Sequence, residues 1–304
     1  MTAILTSLIP VFLVIGLGFA LRRRNFPGDE IWAPLDQLNY YILFPALLLH
    51  TLATADLRSL DIWPMAAALA CGQLFIVALL IAGRRVYKIP GPEFSSVFQG
   101  AVRWNTFVAL AAIASLWGKE GVTLAAVAVA VLVPISNTTC VIALTRYALN
   151  MQIDPLTLGR LLAKNPLLIA CAVGIALNAT GVGLAQPLAI TTKIIGDASL
   201  TLGLLSVGAG LRIGHMFEEK YPVLYTSVLK LLLMPTVMMG MCWFFGVDGL
   251  PRLVVLICAS VPGATSSYVL ARQLGGHIEL MASIITGGTV LAVVTMPLML
   301  WIFG

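Results

Sequence analysis

The sequence predicts an all-α polytopic membrane protein of ten transmembrane helices, built as two inverted five-helix repeats. Three observations carry this. Of the 304 residues, 60% are hydrophobic and only 10% charged, against roughly a quarter charged in a soluble domain. The apolar residues fall into runs of about twenty, enough to cross ~30 Å of hydrocarbon as helices. Lysine and arginine then alternate between the ends of those runs.

The runs lie at about 2–21, 32–54, 62–83, 93–117, 121–145, 156–179, 185–211, 221–246, 250–272 and 277–303. The first, TAILTSLIPVFLVIGLGFALRRR, is too long for a signal-peptide core and is expected to be retained. The second carries Pro45, expected to kink it, and His50 near its outer end. The third runs over 62–83. The fourth holds Arg103, Asn105 and Thr106 at mid-depth, where polar groups are costly and default to a functional reading. In the fifth, Pro134 precedes Ser136, Asn137, Thr138 and Thr139.

The longest polar interruption, 146–165, separates the first repeat (1–150) from the second (151–304). In the seventh span Lys193 and Asp197 are spaced to pair on one helix face. Lys230 in the eighth lies about nine residues inside, roughly 13 Å deep at 1.5 Å per residue, and Pro235 follows as a second kink. The ninth contains Pro262, Gly263, Ala264, Thr265, Ser266 and Ser267. The tenth closes the chain. Trp32, Trp63, Trp243 and Trp301 fall near span ends, as interfacial anchors do.

Twelve of the 18 Lys and Arg residues lie at one set of alternating ends: Arg22, Arg23, Arg24, Arg84, Arg85, Lys88, Arg146, Arg160, Lys164, Arg212, Lys220 and Arg272. Only Arg58, Lys119 and Arg252 lie at the other. This bias puts both termini on the extracytoplasmic side of an inner membrane. The net charge of +5 is therefore topology, and no nucleic-acid partner is implied.

Five spans per half is odd, so the halves cross in opposite senses. PVFLVIGLGFAL (10–21) aligns with PLLIACAVGIAL (166–177). At nearly the same offset, WNTFVALAAIASLWG (104–118) falls over PGATSSYVLARQLGG (262–276). Helices broken near the midplane at matching positions of inverted repeats mark the site of a transporter.

NPLLIACAVGIALNATGVGL (165–184), IGDASLTLGLLSVGAGL (195–211), LKLLLMPTV (229–237), SVPGATSSYVLARQLGG (260–276) and the Arg-Asn-Thr of the fourth span resemble the auxin efflux carrier family, which includes bacterial carriers and the plant PIN auxin exporters. The resemblance covers essentially the whole chain. It implies a scaffold of spans 1, 2, 6 and 7, often dimeric, and a mobile transport domain of spans 3–5 and 8–10 with helices 4 and 9 broken and crossed. It further implies elevator-type transport of small organic anions, auxin-like or malonate-like carboxylates. The sequence departs from the family pattern at Leu110 and Ala112, where Gly and Pro are expected, and at Thr201, where Pro is usual.

The candidate substrate-binding residues are Arg103, Asn105, Thr106, Ser136, Asn137, Pro262, Gly263, Thr265 and Ser266. Asn105 and Thr106 are expected to end the first half-helix and offer freed groups to a ligand. The Arg103 guanidinium suits a carboxylate; the alternative is a snorkelling structural arginine. Pro262 and Gly263 interrupt the ninth helix. The resemblance makes Asn137 the preferred residue of its cluster; the alternative for the threonines is that their hydroxyls bond back to their own helix. Lys230 and Asp197 are candidates for coupling or gating, with a helix-bonded lysine and a surface ion pair as the alternatives.

An alternative function keeps the fold but couples transport to sodium or protons, as in bile-acid symporters and sodium–proton antiporters. Cys71, Cys140, Cys171, Cys242 and Cys258 are scattered singly, without a CxxC pair, and read as buried small apolar residues. Neither a metal nor a cofactor is expected. With no HExxH or GxSxG signature and no pair of mid-depth carboxylates, the chain is not expected to be an enzyme.

Overall fold

A computed structural model describes residues 2–55, 62–87, 89–152, 154–213 and 219–304. Arg58 and Lys88 of the charge pattern lie outside these residues. Within them every regular element is helical.

The order is α1 (Thr2–Arg23), α2 (Asp29–Leu38), a wide π turn (Asn39–Leu43) and α3 (Phe44–Ala53). Then come α4 (Ile62–Tyr87), α5 (Gly91–Val102), α6 (Thr106–Ala143), a second π turn (Leu144–Ala148), α7 (Pro155–Ala163), α8 (Pro166–Ala179) and α9 (Gln186–Ala209). The chain continues through α10 (Lys220–Val228), a third π turn (Leu229–Leu233), α11 (Met234–Phe244), α12 (Gly249–Ser260), α13 (Ser266–Gln273) and α14 (Ile278–Phe303).

Among the described residues six stretches are long and apolar enough to cross a membrane: Thr6–Arg23, Ile62–Arg84, Gly91–Ala148, Gln186–Ala209, Lys220–Phe244 and Ile278–Phe303. Ten were expected from the sequence, and the difference has local causes. Pro166–Ala179 and Gly249–Ser260 are apolar but short. The expected second span is divided between α2, a π turn and α3. The expected fourth and fifth fall in one 58-residue stretch, divided within α6 by Gly118 at φ 56° and ψ −140°. A side chain is strained in that backbone conformation, whereas glycine adopts it freely.

Two of the π turns have the same local origin. Asn39–Leu43 and Leu229–Leu233 each run into a helix whose second residue is proline, Pro45 and Pro235. Proline lacks the N–H for an α-helical bond and its ring crowds the carbonyl four residues back. A widened turn relieves both problems without a sharp break.

Two packing groups result. α1 lies against α9, and α3 against α8 and α9. A Cβ on Gly208 would collide with the Ile15 carbonyl, and one on Gly18 with Leu205, so both glycines are needed for the α1–α9 approach. Such close backbone contact is how membrane helices gain dispersion energy where water supplies no drive. Asn39 and Ser199 lock α9 to the first π turn: Asn39 Nδ2 donates to the Ser199 carbonyl at 3.1 Å, and Ser199 Oγ donates to Asn39 Oδ1 at 2.7 Å.

In the other group α4 packs on α6 and α11, α12 on α6, α11 and α14, and α5 on α10 and α14. Gly100 of α5 meets Thr226 and Ile284 so closely that a Cβ would lie 2.8 and 2.5 Å from their methyl carbons.

Four cysteines are buried as expected, but Cys71 is exposed. Trp63, Trp243 and Trp301 are exposed near helix ends, while Trp32 is buried with its indole N–H unpaired. It is therefore not an interfacial anchor.

Candidate functional site

Two helix interruptions meet, and their meeting place is called the crossing. α5 ends at Val102 and α6 begins at Thr106, leaving 103–105 extended; α12 ends at Ser260 and α13 begins at Ser266. The Asn105 N–H donates to the Pro262 carbonyl at 2.8 Å, tying the two interruptions through the main chain. Gly263 brings its Cα within reach of α5: a Cβ there would sit 3.4 Å from the Gly100 carbonyl oxygen.

The break lies slightly ahead of the sequence expectation. Asn105 and Thr106 do not end the first half-helix; Asn105 caps the second, its Oδ1 accepting from the Val108 N–H at 3.2 Å, and Thr106 is its first residue. An asparagine at this cap satisfies one of the free N–H groups of a helix start. Leu110 and Ala112 are fully buried in the continuous helix beyond it. Glycine and proline are not needed there to make this break.

Arg103 spans the crossing. Its Nη2 donates to Ser266 Oγ at 2.8 Å, and Tyr40 and Cys140 lie within its electrostatic reach. Tyr40 belongs to the first π turn. Arg103 thus faces both the crossing and the α1–α3, α8, α9 group. The helix starts at Thr106 and Ser266 turn their positive dipole ends toward this region.

Buried polar atoms without partners gather along the elements of the crossing and on α10, which packs against α5. Asn105 Nδ2, Ser267 Oγ, Ser227 Oγ and both amide atoms of Gln99 are enclosed and unpaired. Each such atom costs free energy until something meets it. Gln73 of α4 is satisfied: its Nε2 donates to the Val102 carbonyl at 2.7 Å and to Ser136 Oγ at 3.2 Å. It thereby closes the open end of α5. Asn137 is half-buried on the next position of α6. Thr139 bonds back to the Ile135 carbonyl at 2.7 Å, the alternative foreseen for the threonines.

The two ionisable candidates separate. Lys193 and Asp197 form an exposed ion pair at 2.6 Å, apart from the crossing. Lys230 is only 3% exposed, sits in the third π turn, and lies within electrostatic reach of Cys258 just before the second interruption. That turn packs on α5, α12 and α14.

Sequence reasoning passed over Gln73, Gln99, Asn39 and Tyr40. Each is a polar group inside an apolar run, the same signal that singled out Asn105.

Residues 152–300 match a family model described as membrane transport protein. An uncharacterized transporter of Methanothermobacter thermautotrophicus is 24% identical over 302 residues, 96% of each chain. The human sodium/bile acid cotransporter 4 is 27% identical over 120 residues, 38% of this chain and 28% of that one. The rabbit (Oryctolagus cuniculus) ileal sodium/bile acid cotransporter is 30% identical over 108 residues, 34% of this chain and 31% of that one. These matches support a membrane transport family. The chain's apolar helices are those of an integral membrane protein, and over these matches it is similar to membrane transport proteins.

Proposed function

We propose that this transporter is a secondary carrier of small organic anions, carboxylates of the auxin-like or malonate-like kind, with its site at the crossing of the two helix interruptions. One observation carries the reading. A guanidinium, Arg103, is bonded across the crossing to Ser266, beside two helix starts and several unpaired buried polar atoms. A carboxylate inside a membrane needs compensating charge and donors, because an uncompensated one costs several kcal/mol or more. Arg103, the Asn105 amide and the Thr106 and Ser266 helix starts supply both.

The same reading makes the chain ten crossings in two inverted repeats, 1–150 and 151–304, with both termini outside the cytoplasm. The packing groups support an elevator. α1–α3, α8 and α9 would form a scaffold, dimerising through its outer face. α4–α6 and α10–α14 would carry the site past it, and the Asn105–Pro262 bond holds the two interruptions together as they move.

A second reading adds ion coupling, favoured by one observation: Lys230 is buried beside the second interruption. A lysine there would take the place of a bound cation or carry a coupling proton. The sodium/bile acid cotransporters are similar over about a third of this chain.

Uptake of radiolabelled malonate and indole acetate into proteoliposomes, with and without sodium or pH gradients, tests both readings. Anion uptake that needs Arg103 supports the first, and dependence on either gradient adds the second. Absence of uptake for every carboxylate tried, in protein shown to be folded, rejects the anion carrier.

A further inference from the structure

Away from the crossing, a groove of about 530 Å³ runs between α4 and the last turns of α6. Its walls include Val77, Ile81 and Arg84 from α4, facing Ile142, Arg146 and Tyr147 from α6 and the π turn beyond it, with Phe98 of α5 and Thr139 of α6 also lining it. On the α4 wall Val77 and Ile81 precede Arg84, and on the other Ile142 and Ala143 precede Arg146 and Tyr147. Val77 to Arg84 is seven residues, roughly 10 Å at the helical rise. Both arginines meet at Tyr147: the Arg84 guanidinium lies 4.2 Å from its ring centre and that of Arg146 5.9 Å. Both walls therefore run from apolar to cationic in the same direction.

Arg84 is held in place by aromatic faces, with Phe94 also 5.3 Å from its guanidinium, yet its Nε is buried without a hydrogen-bond partner. Among the described residues neither Arg84 nor Arg146 makes an ion pair. Ile81 and Ile142 remain more than a third exposed. Two free guanidiniums offer donors to a phosphate. A soluble anion would use them but leave the apolar length of the groove unfilled.

We propose that this groove binds an anionic phospholipid, its phosphate between Arg84 and Arg146 and an acyl chain along Val77, Ile81 and Ile142. Basic pockets between membrane helices at the positively charged ends are suited to such headgroups. The shared chemistry with free phosphate is the arginine pair; the apolar walls add the chain.

The test uses purified full-length protein in detergent, with retained lipid read by native mass spectrometry and melting temperature read alongside. The probes are dioctanoyl phosphatidylglycerol, dioctanoyl phosphatidylcholine and inorganic phosphate. The proposal expects retention and a rise in melting temperature with phosphatidylglycerol, and little of either with phosphatidylcholine or phosphate. Arg84→Gln and Arg146→Gln should each weaken retention about fivefold, the worth of one basic residue near an anionic lipid surface. Because Arg84→Gln also removes a contact with Tyr147, Ile142→Trp serves as the second variant. It fills the groove, leaves both charges in place, and should abolish retention while the protein melts normally without lipid. Equal retention of both lipids, retention unchanged in the arginine variants and in Ile142→Trp, or stabilisation by phosphate equal to that by phosphatidylglycerol would overturn the proposal.

Discussion

Arg103 and Ser266, 163 residues apart, are joined by a 2.8 Å hydrogen bond from guanidinium to hydroxyl. That bond makes a test of charge possible. Arg103→Gln is expected to weaken binding of a carboxylate by about 1.5–3 kcal/mol, the range for hydrogen bonds to charged groups. Lys230→Gln should weaken it less, and Arg103→Lys should recover only part, because an ammonium cannot form the two-pronged contact. Binding isotherms for the three variants against one carboxylate decide it. Normal binding by Arg103→Gln with loss in Lys230→Gln would move the charge sensor to the third π turn.

The crossing itself is probed by Asn105→Ala and Thr265→Val. Each is expected to cost about 1–3 kcal/mol of substrate affinity if a buried ligand group loses its partner. Asn105→Ala should also lower the melting temperature, since it removes the cap on Val108. Unchanged affinity in both variants would place the site elsewhere.

Gln73→Leu leaves the Val102 carbonyl without its donor. Hydrogen bonds between membrane helices are worth about 0.6–2 kcal/mol, and a loss of that order in unfolding free energy is expected. Guest amides at position 73 offer the control: Gln73→Asn is too short to reach and should not restore the loss.

Gly208→Leu should be more damaging. Its Cβ would overlap the Ile15 carbonyl, and forcing α1 from α9 costs typically about 1–3 kcal/mol or more. The expected result is poor yield or early melting, whereas Gly16→Leu, with nothing within 4 Å of its Cβ, should behave like the parent.

Orientation is tested with a cysteine appended after Gly304 in a Cys71→Ser background, the other four cysteines being buried. An impermeant thiol reagent should label it in intact cells. Labelling only after lysis would reverse the proposed topology.

Much of the crossing could be read from residue types. Asn105 and Pro262-Gly263 interrupt apolar runs, and mid-depth polarity or a missing N–H has few other uses. The point at which the helix stops was less legible. Arg103 is a good helix former, and its extended backbone accompanies the Asn105–Pro262 bond between distant segments, which no local pattern encodes. Lys193 and Asp197 could be paired on spacing alone because both belong to one helix. Gln73 could not be given its partner, since the Val102 carbonyl becomes free only where α5 ends. The place of Trp32 near a span end suggested an interface, but a tryptophan buried without a partner looks the same in sequence as one anchored in headgroups.

The third π turn also acts on what lies beyond it. An α-helix advances about 100° per residue, so a turn that accommodates one extra residue re-phases every side chain downstream. Lys230 can thus point among α5, α12 and α14 while Met234, Met238 and Cys242 are buried too. Deleting Leu232 would leave a longer, more regular helix of nearly the same composition, yet it could keep only one of those two surfaces facing inward. The stretch Lys220–Phe244 is in effect two helical faces spliced out of phase.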